Sequence, residues 1–150
     1  MFEMEVTYGK IKLGDDFKLK VKRWLDNKDE LVEQAYNQKV IKIFNRYYHD
    51  EMIYNGLRGK RPQIKQATSD KNYTLNVLEE SLNGCDFCES SYLNNTATDT
   101  FGRIETKLSY TAANTFKYDK WHSLIVSRNH NALFLSEEET IYIFRYVFKL

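Results

Sequence analysis

Two cysteines separated by two residues, Cys85-Asp86-Phe87-Cys88, and a distant histidine, His130, are the residue types in this chain best suited to holding a metal ion. Two thiolates at that spacing reach one ion, and an imidazole adds a third donor to a tetrahedral zinc site with bonds of ~2.0–2.3 Å. The spacing alone fits two incidental thiols near a turn equally well, and a redox pair is less favoured because no clear βαβ pattern surrounds it. His130 joins the pair only if the fold brings it back 42 positions after Cys88 (130 − 88). Arg58, Lys60 and Arg61 cluster around Gly59 and end at Pro62. Guanidinium groups fit phosphate oxygens bidentately, although such a cluster is more often a solvated charged surface. Asn114, ahead of the run that starts at His122, has an amide suited to a base edge or a ribose; alone it is a turn residue.

The elements that must position these residues are read from periodicity. Thr7–Gly14 and Phe17–Lys22 both alternate, which predicts a hairpin turning near Gly14-Asp15-Asp16. From Asn27 to about Tyr47 a helix is expected, capped by Asn27 with Glu30 three residues on, and carrying Val32, Tyr36, Val40, Ile43, Phe44 and Tyr47 as a core-facing stripe. Glu51–Asn55 reads as a short strand. Residues 66–84 read as loop with a helix around Leu75–Leu82, and Asn94–Thr98 as a turn or flexible tip. Ile104–Tyr110 and His122–Ser127 read as strands. Ser136-Glu137-Glu138-Glu139 has capping-box spacing, and the helix it opens, with Ile141, Ile143, Phe144, Val147 and Phe148, is apolar nearly all round. Such a surface needs cover, from this domain or from another protein chain.

A length of 150 residues suits one compact domain with a real core. Apolar residues at 42% and aromatics at 15% argue for folding rather than disorder. Lys+Arg 22 against Asp+Glu 21 leaves a net charge of +1, so no global charge points to nucleic acid or an anionic membrane. No apolar run approaches the ~20 residues of a membrane span. The acidic start, Met1-Phe2-Glu3-Met4-Glu5, is unlike a signal peptide, and two cysteines do not make a secreted disulfide framework. An intracellular, reducing compartment, cytoplasm or organelle matrix, is the expectation.

Taken in order, the segments resemble the N-terminal half of galactose-1-phosphate uridylyltransferase and its relatives in the histidine-triad superfamily. The likeness rests on Arg58-Gly59-Lys60-Arg61-Pro62, the Cys85/Cys88 pair, Asn114-Thr115-Phe116, His122-Ser123-Leu124-Ile125-Val126, Arg128-Asn129-His130 and Leu135-Ser136-Glu137-Glu138-Glu139. It covers roughly residues 46–150 and leaves 1–45 as an unmatched N-terminal extension. The resemblance implies an α+β fold, an antiparallel sheet with helices on one face, as part of a uridylyltransferase-like half. It also implies structural Zn2+ at Cys85, Cys88 and His130, nucleotide phosphates at Arg58 and Arg61, and a nucleoside at Asn114, with His122 structural. The family's nucleophilic histidine and fourth zinc ligand belong to a His-Pro-His-x-Gln run, whereas the histidines here are His49, His122 and His130, no two of them one apart. Without that nucleophile no covalent nucleotidyl intermediate forms. The expectation is therefore a zinc-binding module that does not catalyse alone and serves as a subunit of a larger assembly. The alternative is the N-terminal half of a hexose-1-phosphate nucleotidyltransferase or nucleotide phosphorylase, completed by a missing segment or a second chain and binding a nucleotide or sugar nucleotide.

Overall fold

The structure is a computed structural model that describes residues 2–62, 81, 83–88, 90–131 and 135–147. It is α+β, as expected. Strand β1 (Phe2–Lys10) is followed by helices α1 (Asp15–Trp24) and α2 (Asp29–Tyr36), then β2 (Asn37–Asn45) and β3 (Asp50–Tyr54). After a 3-10 turn at Arg58–Lys60 come α3 (Ser91–Asn95), β4 (Ser109–Ala113), β5 (Ser123–Ser127) and α4 (Glu137–Val147). The strands form two antiparallel sheets, β1-β2-β3 and β4-β5, rather than one.

The first two expectations for the N-terminal part are corrected. Phe17–Lys22 is helical, not the return strand of a hairpin. Phe17, Val21 and Leu25 are buried at fourfold spacing and Trp24 packs beside them, while Leu19, which strand alternation would bury, is 62% exposed. Acids Asp15 and Asp16 in the first turn and Lys22 and Arg23 in the last suit the helix dipole. The helix expected over Asn27–Tyr47 stops at Tyr36. Asn27 ends α1 instead of capping a new helix: Asp26 and Asn27 have φ of 57° and 59°, and the Asn27 N–H bonds back to the Lys22 carbonyl at 2.9 Å. Beyond Tyr36, Val40, Ile41, Ile43 and Phe44 favour a strand, and β1 pairs with all nine residues of β2, from Phe2↔Asn45 to Lys10↔Asn37.

Two later expectations are also corrected, and three hold. Residues 94–98 are no flexible tip: α3 ends there, Ala97 is fully buried, and Thr98 bridges Lys12. The strand expected over Ile104–Tyr110 is displaced to Ser109–Ala113. Thr106 and Ser109 close a turn that folds Ile104 back onto Thr111. Strand β3, strand β5 and the capping box stand: the Ser136 N–H donates to Glu139 Oε2 at 2.7 Å, and the Glu139 N–H to Ser136 Oγ at 3.2 Å. The helix expected around 75–82 lies almost wholly outside the described residues.

One core joins the N-terminal helices to the middle of the chain. Ile11, Phe17, Val21, Leu25, Val32 and Ala35 pack with Leu57, Ala97, Ala113 and Phe116. Residue 45, the expected limit of an N-terminal extension, is the last of β2, which pairs with β3 across the turn. Gln38 links the first sheet to the second. Its side chain donates to the Ala35 and Thr115 carbonyls and accepts from Asn55 and the Lys117 N–H, all within 3.0 Å.

The first sheet is amphipathic in an inverted sense. Directly opposed residues of antiparallel strands share a face. The face turned to the body carries Thr7, Gly9, Gln38, Val40 and Lys42, with Lys42 paired to Asp119. The other face carries Phe2, Met4, Val6 and Tyr8 of β1 beside Ile41 and Ile43 of β2, with Met52 and Tyr54 of β3 completing it. That apolar face is exposed along its length, whereas the other is buried only at Gly9, Gln38 and Val40.

Candidate metal centre

Cys85 and Cys88 lie in the bend that leads into α3. The Cys88 N–H points to the Cys85 carbonyl at 3.5 Å, and the Phe87 N–H to the Cys85 sulfur at 3.4 Å. These two contacts hold the Cys85 side chain in the bend. The Ser91 N–H then bonds the Cys88 carbonyl at 3.0 Å, which fixes the bend against the helix. The β4–β5 hairpin brings back the third residue. Past Ser127, the Arg128 N–H bonds the Leu108 carbonyl at 2.9 Å, and the Asn129 N–H bonds Ser127 Oγ at 3.1 Å. His130 Nδ1 thereby comes to 2.8 Å from the Cys88 sulfur. The ligand atoms of Cys85, Cys88 and His130 all lie within 4.8 Å of one another, and all three residues are half-buried.

Below the bend lies an aromatic floor. Tyr110 of β4 is buried, and its hydroxyl donates to the Phe87 carbonyl at 2.6 Å, tying the cysteine loop to the sheet. Burial pushes the Tyr110 phenol up from its ordinary pKa; Arg103 opposes the shift and both cysteines add to it, so the hydroxyl stays a donor. Tyr92 stacks on Tyr110 at 4.0 Å and donates to Glu105 at 2.8 Å. Arg128 lies over both rings and pairs with Glu105. On the other flank Lys20 of α1 pairs with Asp86, inside the Cys-x-x-Cys segment. Tyr110 and Lys20 escaped the sequence reading, since neither has a spacing that marks it.

The donor set fits zinc. Two sulfurs and one imidazole nitrogen are its preferred soft and borderline ligands, and ligand atoms on one shell of ~2.0–2.3 Å radius stand roughly 3.3–3.8 Å apart. The observed cluster needs only small side-chain adjustments to reach that spacing. The outer ring nitrogen of His130 is 3.3 Å from Ser81 Oγ, the kind of second contact that fixes a ligating imidazole. Neither of the other histidines enters the cluster. His122 Nδ1 accepts the Tyr118 N–H at 3.0 Å, and His49 sits at φ 57° in the β2–β3 turn.

The expected nucleotide residues fall in two places. Arg61 and Asn114 line one open cleft of about 450 Å³, together with Pro62, Phe87 and Phe116. Asn114 is partly engaged there, its Oδ1 accepting the Phe116 N–H at 3.0 Å. Arg58 is not among the residues lining that cleft. Its guanidinium donates to the Phe116 carbonyl and lies 3.3 Å over the Tyr118 ring, and burial lowers its pKa from the ordinary value. Lys60 pairs with Asp26 across the surface.

No protein-family model, curated protein or solved structure matches the chain. Among the described residues, no helix is long and apolar enough to cross a membrane.

Proposed function

We propose that the chain is a zinc-stabilised, uridylyltransferase-like module that does not catalyse alone and serves as a structural subunit of a larger assembly. The observation that carries the zinc is the convergence of Cys85, Cys88 and His130 from two segments 42 positions apart (130 − 88). Support for the uridylyltransferase kinship is the order of motifs from Arg58 to Glu139. The subunit role is supported by α4, where Ile141 and Phe144 are exposed and suit a covering chain. The ion holds the cysteine loop against the end of β5, and His130 is the clasp. No His-x-His pair stands in the 150 residues, so these residues supply no nucleotidyl acceptor.

Metal analysis of the purified protein tests the zinc. One equivalent is expected, and Cys88→Ser should lose it together with a large part of the thermal stability, because site formation and folding are linked. A metal-free wild type that melts like Cys88→Ser would remove the reading.

A second reading is favoured by the cleft that Arg61 and Asn114 share: half of a nucleotidyltransferase or phosphorylase completed elsewhere. Titration with UMP tests it. Binding that Arg61→Ala weakens supports this reading, and no saturable binding to the zinc-loaded protein rejects it.

A further inference from the structure

The inverted sheet has a consequence that is independent of the metal. Phe2, Met4, Val6, Tyr8, Met52 and Tyr54 are all exposed, Phe2 at 72% and Met52 at 66%, and all lie on one face. Ile41 and Ile43 fill the row between them, so the centre of the face carries no charge. At about 100 Å² of free surface for each of the six, against ~150–250 Å² for a whole aromatic side chain, the patch offers roughly 600 Å². That is the upper end for the largest patch of a typical monomer (~300–600 Å²) and close to the ~800 Å² per partner of a standard interface.

Scattered exposed apolar residues need no explanation; a contiguous apolar face with charge only at its ends does. On the opposite, body side of the sheet Gln38 is fully hydrogen-bonded and Lys42 is ion-paired. Thr7, also on that side, has a buried hydroxyl without a partner among the described residues. The alternation of β1 is thus regular, and it is directed away from the body.

We propose that this face is an interface with a second copy of the chain, two sheets packed face to face about a twofold axis. The charges at its ends favour that occupant. Lys10 and Lys39 bound the apolar face at one end of the strands, and Asp50 bounds it at the other. A twofold axis lying between the sheets and across the strands sets the basic end of one copy over the acidic end of the other. Sheets so stacked lie ~10 Å apart with their strands within about 30° of each other. The contact is isologous and closes at two copies.

Sedimentation of the full chain from 1 to 100 µM tests the proposal. A concentration-dependent dimer is expected, twice the 17.9 kDa of one chain. Val6→Lys with Met52→Lys should weaken association at least 30-fold while leaving the far-UV circular dichroism and the metal content unchanged. Should that variant fail to fold, Asp50→Lys provides the second arm. It places like charge against Lys10 and Lys39 and should weaken the dimer more at low salt than at high. A wild type that stays monomeric to 100 µM overturns the proposal and leaves the face to a different protein. A dimer unaffected by both variants overturns it as well.

Discussion

The two sheets of this protein handle hydrophobicity in opposite ways. β4, Ser-Tyr-Thr-Ala-Ala, has three small or polar side chains in its first four residues and is buried at every position. β1, Phe-Glu-Met-Glu-Val-Thr-Tyr-Gly-Lys, alternates as a half-buried strand should, yet only Gly9 is buried. Alternation shows that the faces of a strand differ; it does not show which face is covered. β4 is covered on both faces by its own chain. In β1 the body covers the polar face only at Thr7 and Gly9, and the apolar face is left for something else along its length.

The comparison breaks most severely at Lys117, beneath both sheets. Lys117 is fully buried, with its ammonium 2.7 Å from Asp99 Oδ1 and 3.1 Å from the His122 carbonyl. Asp99 is buried as well and also accepts the Ser123 hydroxyl. Lys117→Met should leave the carboxylate uncompensated and cost about 3–5 kcal/mol. Adding Asp99→Asn should recover part of that loss, because the stranded charge is then gone. Urea unfolding measures both, and a single-variant loss under about 1 kcal/mol would show that the pair is not what supports the inner region.

Gly9 is where the sheets meet through that same lysine. A Cβ there would lie 2.7 Å from Lys117 Cδ and 3.0 Å from its Cβ. Those are inner atoms of a buried, doubly bonded side chain, not a movable tip. Gly9→Ala should therefore cost about 1–3 kcal/mol by overpacking. The same change at Gly59, where nothing lies within 4 Å, is the control and should be close to neutral.

The inner region should also be the pH-sensitive one. Burial holds the His122 imidazole below its ordinary 6.5, helped by the Arg58 and Lys117 charges and opposed by Asp119 and Asp99. Protonation would also break the bond from the Tyr118 N–H. Above 6.5 the ring is neutral in the folded and unfolded chains alike, so it adds no pH dependence. Below 6.5 the unfolded chain binds the proton first, and stability falls until the folded pKa is passed. His122→Gln should flatten this part of the decline between pH 7.5 and 5. Wild type and variant share every other titratable group, so the difference between them is the quantity to read. An identical slope in the two would sink the assignment.

Much of the candidate site was legible because its chemistry lies in residue type and spacing. Cys-x-x-Cys is local, and Ser136 with Glu139 is a cap that three residues define. His130 needed the β4–β5 hairpin, and only the strand at 123–127 showed in the sequence. Its partner was sought at Ile104–Tyr110, because Ser109–Ala113 has no apolar alternation to reveal it. The first helix went unseen since Phe17, Leu19 and Val21 satisfy period two as well as Phe17, Val21 and Leu25 satisfy helical spacing. Val40, Ile43 and Phe44 fit helical spacing, and pairing with β1 overrides it through contacts between residues over thirty positions apart. Lys117 under Gly9 leaves no trace in the sequence at all.

The smallest expected effect falls on the outer face, and for that reason it tests the comparison most directly. Met4 is 70% exposed, so truncating it removes little buried area from the single chain. Met4→Thr keeps a residue at home in a strand and should change monomer stability by no more than about 0.5 kcal/mol. If the face were an ordinary core surface, the loss would instead approach the ~2–5 kcal/mol of a buried methionine truncation. Unfolding must be followed at low micromolar concentration, where a self-association of ordinary strength is dissociated, and again near 100 µM. With the sheet oriented as described, the variant matches wild type in the dilute sample and falls behind it in the concentrated one. The gap then reports association and not folding, because only a dimer gains stability as the chain is concentrated.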